Sequence, residues 1–390
     1  DSGSQSFGGF GCIGSANFRL FGGPGGFAFQ EESGNIIPWA GGPSQTYNFG
    51  PRNFFQRPSE RYNLYAKSYY EIADGHEVFA DISFTNNTSD AQIAETASFG
   101  IGAYSINCNN PYIQNTPGIA LTDIFGCDAD AIANGTVVSG ITASHRNVEG
   151  GPRNSRLENS AFRLISGLRG SFADDIWGWE AFVQVSETRD QSESTNDFVV
   201  ANLHQAFNVT TDANGDPVCV DPTGGCVPYN IFQRGPGGES LVTSEATDFI
   251  QGIGLVNGDT SQFIYGGSLQ ADLGEYGIKL PSADYGMSFL IGFVDRKDTL
   301  SSRPDVISQV EGGGFTGVGG ATLPAAREDE VTDLFTEFEL PLDSGIPGIE
   351  ELTLRGQYRY SDYDRLGNDN NTSVDTNTYG ASLAWAPIQD

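Results

Sequence analysis

The sequence predicts an all-β fold, an antiparallel meander forming part of a large transmembrane β-barrel and left as an open curved sheet. Long external loops and a short loop helix complete it. Three observations predict this. Apolar residues recur with a period of two in nine segments. Short connections between those segments alternate with long ones. The composition, with 51 glycines, 26 phenylalanines and 18% charged residues in 390, suits β structure and loops better than an α/β enzyme.

The segments follow in order. In 62–72 the apolar-leaning parity is Tyr62, Leu64, Ala66, Ser68, Tyr70, Ile72, with Asn63, Lys67 and Glu71 opposite beside Tyr65 and Tyr69. In 77–85 it is Val78, Ala80, Ile82, Phe84 against Asp81, Ser83 and Thr85. Segment 161–169 sets Phe162, Leu164, Leu168 against Arg163 and Arg169, and 177–186 sets Trp177, Trp179, Ala181, Val183, Val185 against Glu180, Gln184, Ser186. Phe263, Tyr265 and Leu269 mark 262–273, and Met287, Phe289, Ile291 and Phe293 mark 287–296. Leu334, Phe338 and Leu340 oppose Asp333, Glu337 and Glu339 in 331–340. Leu352, Leu354, Tyr358 and Tyr360 oppose Arg355, Gln357 and Arg359 in 352–360, and 378–386 carries Tyr379, Ala381, Leu383 and Trp385. A strand whose alternate side chains seek an apolar surround is what a barrel offers to lipid.

The short links are Ala73 to His76, Ser171 to Ile176, Gly274 to Gly286 and Pro341 to Glu351. The long ones span roughly 87–160, 187–261, 297–330 and 361–377. Barrels of the bacterial outer membrane have short turns on one side and long loops on the other, whereas a soluble sandwich has no reason for that asymmetry. Tyr and Trp near strand ends suit the aromatic girdles of such a barrel, although β propensity enriches them too. Within the long loops, Ser244 to Leu255 reads as a short helix capped by Ser244, with Phe249, Ile250 and Ile253 on its apolar side.

Charge excludes one class of partner. Twenty basic residues against 50 acidic ones give −30, which repels nucleic acid. No apolar run approaches the ~18–20 residues of a membrane-spanning helix. The five cysteines, at 12, 108, 127, 219 and 226, lie in Gly-, Asn-, Asp- and Pro-rich stretches and form no C-x-x-C. Loop disulfides in an oxidising compartment are the better reading: Cys219 with Cys226 across a segment that turns easily, and Cys108 with Cys127 around an Asn-Pro loop, leaving Cys12 odd.

Several segments resemble the barrel of TonB-dependent outer-membrane receptors, in the order that family shows. Pro58-Ser-Glu-Arg61 with the Tyr-rich strand after it, the turn Ala73-Asp-Gly-His76 and Val78-Phe-Ala-Asp-Ile-Ser-Phe84 resemble its first long hairpins. Asn110-Pro-Tyr112 and Cys226-Val-Pro-Tyr-Asn230 are similar to its loop elements. Phe293-Val-Asp-Arg296, Thr336-Glu-Phe-Glu-Leu-Pro-Leu342 and Arg359-Tyr-Ser-Asp-Tyr363 look like three consecutive strand signatures. The resemblance covers Asn53 to the end, its specificity lying in the ordered set. It implies an interior barrel fragment (1–390) of a longer receptor in the bacterial cell outer membrane, with signal peptide, TonB box, plug and terminal aromatic strand outside the sequence. The implied partners are the TonB energy-transducing complex through the plug region, outer-membrane lipid and lipopolysaccharide, and an extracellular ligand; no nucleic acid is among them.

Other chemistry is weaker. No G-x-G-x-x-G joins a strand to a helix, no Walker lysine stands among the three lysines, and three histidines without a nucleophile elbow make a triad poor, so neither an enzyme nor a cofactor is expected. Asp212-Ala-Asn-Gly-Asp216 resembles a calcium loop with its glycine misplaced, and Asx-turn chemistry explains it more cheaply. The functional expectation is energy-coupled import of a bulky ligand. The alternatives are a passive porin, a structural surface barrel, or a soluble glycan-binding β-sandwich.

The lumen parity carries six basic residues (Lys67, Arg163, Arg169, Arg296, Arg355, Arg359) and seven acidic ones (Glu71, Asp81, Glu180, Asp272, Asp333, Glu337, Glu339). Subtracting that −1 from −30 leaves an acidic excess of 29 elsewhere, mostly in loops and turns. A negative mouth disfavours anions, and Trp39, Tyr112, Tyr229 and Phe232, taken as exposed, are the candidate ligand contacts for a neutral oligosaccharide or a neutral or cationic peptide-like ligand.

Overall fold

The computed structural model describes residues 19–21, 27–39, 45, 47–98, 104–316, 320–367 and 371–388. Its main element is one nine-stranded antiparallel sheet: β1 (Ser59–Ala73), β2 (His76–Ile93), β3 (Arg153–Phe172), β4 (Trp177–Phe198), β5 (Gln251–Asp272), β6 (Ser288–Pro304), β7 (Ala325–Ile346), β8 (Ile349–Gly367) and β9 (Thr372–Ala386). Each strand pairs with its sequence neighbour, so the sheet is a simple meander with β1 and β9 as open edges. Many large residues of the apolar parities named above are exposed, among them Leu64, Phe84, Val183, Phe263, Leu334, Leu383 and Trp385. They do not pack between two sheets, which disposes of the β-sandwich alternative.

The turns at one end are tight. Asp74-Gly75 joins β1 to β2, with Gly75 at φ +69°, a left-handed conformation that glycine adopts freely. Residues 173–176 and 347–348 make two more, and the turn 273–287 is longer. At the other end the strands run well past the apolar alternation. Backbone pairing continues through segments polar on both faces, such as Glu187–Thr195 of β4, where hydrophobic periodicity gives no signal. The long connections therefore contract to 94–152, 199–250 and 305–324. Where the fourth was expected, at 361–377, the described residues are largely strand: β8 and β9 pair as far as Arg365↔Thr372.

The loops are not loose. Residues 27–38, which precede β1, pack with the connections 94–152 and 199–250 around a second hydrophobic core that includes Ile36, Tyr104, Ile106, Leu121, Phe198, Leu203, Phe207, Tyr229 and Phe232. Among the described residues four short α-helices belong to this body: α1 (Leu121–Phe125), α2 (Ala129–Asn134), α3 (Val200–Phe207) and α4 (Ser244–Ile250). The last corrects the expected helix 244–255. Its cap is Thr243, whose side chain accepts from the Ala246 N–H at 3.2 Å, and the chain is already in β5 from Gln251, so Ile253 is a strand residue.

Both expected disulfides are present. Cys108–Cys127 and Cys219–Cys226 have Cα separations of 5.4 and 6.2 Å, within the range that a bridge spans without backbone strain. Cys12 lies outside the described residues.

Candidate functional site: lumen wall and loop body

Residues directly opposite in an antiparallel ladder share a face, so the register sorts the two faces of the sheet. The row Lys67↔Asp81↔Ile165↔Gln184↔Ile264↔Arg296 belongs to the polar face. On that face Lys67 pairs with Asp81 at 3.7 Å, Arg355 with Glu339 at 2.8 Å, and Arg169 with Glu77. A polar relay also crosses it: Arg163 Nε donates to Gln184 Oε1 at 3.0 Å, Gln184 Nε2 to Gln262 Oε1 at 2.7 Å, and Gln262 Nε2 to Asp298 Oδ1 at 2.8 Å. The hollow of the sheet is on this side, lined among others by Lys67, Asp81, Arg163, Arg169 and Glu180. This is the charged face of the sheet.

The opposite face carries an uncharged apolar band, and the band does not follow the register. Its upper limit is Phe84 on β2, Phe162 on β3 and, on β4, Val185, two residues before Glu187. It then lies at Phe293 on β6, two before Asp295, at Tyr360 on β8, two before Asp362, and at Tyr379 on β9. The row of Tyr379 passes through Tyr358, Thr336, Ile291, Leu269, Trp179 and Gly170 to reach β2 at His76. The limit therefore slips eight residues, from Phe84 to His76, across the seven steps from β2 to β9. That is about 27 Å along the strands against about 34 Å across them, a slope of about 39°. The turns slip with it: β1 and β2 end at the row of Tyr379, while β7 and β8 continue through Leu340↔Leu354 to Ile346↔Ile349. Three tryptophans, Trp177, Trp179 and Trp385, lie at the turn end of the band.

Above the upper limit sits the loop body. Its connections are tied to one another at named points. Tyr229 OH donates to Asn147 Oδ1 at 3.2 Å, the Ser240 hydroxyl donates to Glu149, Gln251 Nε2 donates to the Gly150 carbonyl at 3.0 Å, and Gln30 Nε2 donates to the Phe232 carbonyl at 2.6 Å. His145 Nε2 lies 3.1 Å from Glu149 Oε2, and its ring meets that of Tyr229 edge to face at 6.0 Å. Burial pushes the Glu149 carboxyl up, and hydrogen bonds and charge from His145 with the Ser240 hydroxyl outweigh it, leaving the group below its ordinary range. Burial holds the His204 imidazole, 5.0 Å from the Tyr104 ring, below its usual value, and drives the Tyr229 phenol well above its own.

The sequence-predicted contacts divide here. Tyr229 and Phe232, taken as exposed, are buried in the centre of the loop core, their rings 5.7 and 6.0 Å from that of Phe207. Turn-rich surroundings suggested exposure, and the packing of three segments over them reverses it. Tyr112 and Trp39 keep part of their surface, Trp39 lying edge-on to Phe29 at 5.7 Å. The Asp212 carboxylate accepts the N–H groups of Asn214 and Asp216 at 2.8 and 2.9 Å, closing the small hairpin of Val209–Thr211 and Pro217–Cys219 as an Asx turn. Residues that sequence reasoning missed are Gln30, His145, Asn147, Glu149 and Ser240, single polar side chains in irregular backbone with no periodicity to mark them.

No family model matches the chain, and no curated protein matches it. Solved structures similar to it include the ferric-catecholate import receptor Fiu from E. coli K12 in its open form, at 11% identity and a TM-score of 0.31, covering 88% of this chain and 49% of that one. The closed form of the same receptor gives 10% identity and a TM-score of 0.28, covering 89% and 47%. The chain thus spans about half the length of the receptor it matches.

Proposed function

We propose that this chain is part of an outer-membrane β-barrel receptor that imports a bulky extracellular ligand by TonB-dependent, energy-coupled transport. One observation carries the membrane reading: the uncharged outer band crosses the strand register at about 39°, within the ~35–45° at which strands of closed barrels tilt. Lipid cuts a barrel at a constant height, so tilted strands enter it at progressively shifted residues. On β4 the band, from Trp177 to Val185, is about 21 Å tall after tilting, close to the ~25 Å of outer-membrane barrels. The packed, disulfide-closed loop body supports a receptor, because it places ordered side chains over the mouth. The ligand that fits an acidic mouth is a neutral oligosaccharide or a neutral or cationic peptide-like molecule, met by the partly exposed Tyr112 and Trp39.

The test is uptake of labelled oligosaccharides and peptides by cells carrying the full-length protein, with and without TonB. TonB-dependent uptake supports the proposal, and uptake that persists without TonB replaces it with a passive pore. Tight binding of an anionic ferric siderophore, with none for glycans or peptides, overturns the ligand assignment.

A further inference from the structure

The turn between β5 and β6 differs from the other three at its end of the sheet. It spans 273–287, against two to four residues in the others, and it is built as a fixed structure. Leu273 N donates to the Met287 carbonyl at 2.8 Å, Met287 N to Ile278 O at 3.0 Å and Ile278 N to Leu273 O at 3.1 Å. At its base Gly274 and Gly286 touch backbone to backbone: a Cβ on Gly286 would lie 2.1 Å from the Gly274 Cα. Yet this fixed turn holds Tyr276, Ile278 and Leu280 at 55, 50 and 37% exposure. An ordered turn gains nothing in water from displaying three large apolar side chains.

Tyr276 shows which side they serve. Its hydroxyl accepts the indole N–H of Trp177 at 3.1 Å, and Trp177 lies on the outer, apolar face in the row Phe172↔Trp177↔Ala271↔Phe289. The Trp177 ring stacks on Phe172 and meets Phe289 edge to face, so Tyr276 extends the lower edge of the apolar band. Tyr285 turns elsewhere, donating to Glu351 at 2.9 Å. Lys279, exposed between Ile278 and Leu280, places an ammonium where lipid phosphates would lie.

We infer that this turn is a lipid anchor, seating Tyr276, Ile278 and Leu280 at the boundary of headgroups and acyl chains in the leaflet on the turn side, with phospholipid as the occupant. The inference rests on the membrane reading above. The test uses the full-length protein in phospholipid bilayers, in a Cys12→Ser background with the four bridged cysteines intact. A nitroxide is placed at Ile278→Cys, at Leu334→Cys within the band and at Val306→Cys in the outer loop, and its collisions with oxygen and with a neutral nickel chelate are compared. Position 278 is expected to show an oxygen-to-nickel ratio several-fold above position 306 and nearer to 334, and Leu280→Cys is expected to repeat it. A water-like 278 beside a lipid-like 334 overturns the anchor and leaves the membrane reading standing. A label at 278 shielded from both reagents assigns the turn to a protein contact and overturns the anchor. A water-like 334 overturns the membrane reading itself.

Discussion

Val183 and Asp362 both face outward and lie on one row of the sheet, Val183↔Tyr265↔Asp295↔Thr332↔Asp362. If the strands tilt by about 39°, the four steps between them, about 19 Å across the sheet, raise Asp362 by about 12 Å relative to Val183 along the membrane normal. Val183 then sits roughly 5 Å from the middle of the band on β4, and Asp362 stands at or beyond the lipid surface. Arginine on the lipid face of a barrel costs about 2–4 kcal/mol at the midplane and about 0–1 near the interface. Val183→Arg should therefore destabilise by about 2 kcal/mol or more, and Asp362→Arg by less than about 1, which also removes one carboxylate from an acidic stretch. The assay is guanidinium unfolding of the full-length protein from phospholipid bilayers, read as the shift in midpoint at unchanged slope. Equal costs at the two positions would refute the tilt, and a negligible cost at Val183 would refute the lipid face.

Three further outcomes concern the loop body and the wall. Removing Cys108–Cys127, a separation of 19 residues, should cost the loop body about 3 kcal/mol by chain entropy, and Cys219–Cys226, a separation of 7, about 2; protease resistance of the loops with and without reductant measures both, while the strands stay intact. Because the Glu149 carboxyl titrates below its unfolded value, its contribution is complete above about pH 4.3 and is lost as pH falls through the lower folded value. Glu149→Gln should flatten that acid limb of loop-body stability in a fluorescence melt, and an unchanged limb would contradict it. Gly167→Ala would bring a Cβ to 2.6 Å from the Phe79 ring and 2.5 Å from the Ala181 carbonyl, so a loss of about 1–3 kcal/mol is expected, whereas Gly215→Ala has no steric neighbour but a φ of +90° to strain it.

The nine strands were legible in the sequence because each sets an apolar face against a polar one, which imposes a clean period of two. Where that asymmetry ends the signal ends too, although the backbone pairing does not: the upper parts of β3, β4 and β7 are largely polar on both faces and read as loops, and the start of β5 read as the end of a helix. The loop body shows the opposite failure. Tyr229 and Phe232 lie among Pro, Asn and Gly, which suggested a surface, but they are buried by residues up to about two hundred positions away, Gln30 reaching the Phe232 carbonyl among them. Long-range closure of irregular chain has no local pattern. The disulfide pairs were legible, since each cysteine's nearest partner along the chain lies across a turn-forming segment. The His145–Glu149–Ser240 tie was not, because it joins two connections whose mutual placement the sheet decides.

The most direct test of the central claim is a cryo-electron microscopy map of the full-length protein in a lipid nanodisc. The bilayer should meet the outer face just above Phe84 on β2, Val185 on β4, Phe293 on β6 and Tyr379 on β9, a level line in space that slips eight residues in register, with the loop body wholly on one side. A bilayer edge that stays on one register row, or a protein layer covering Val183, Phe263 and Leu334, would contradict the account.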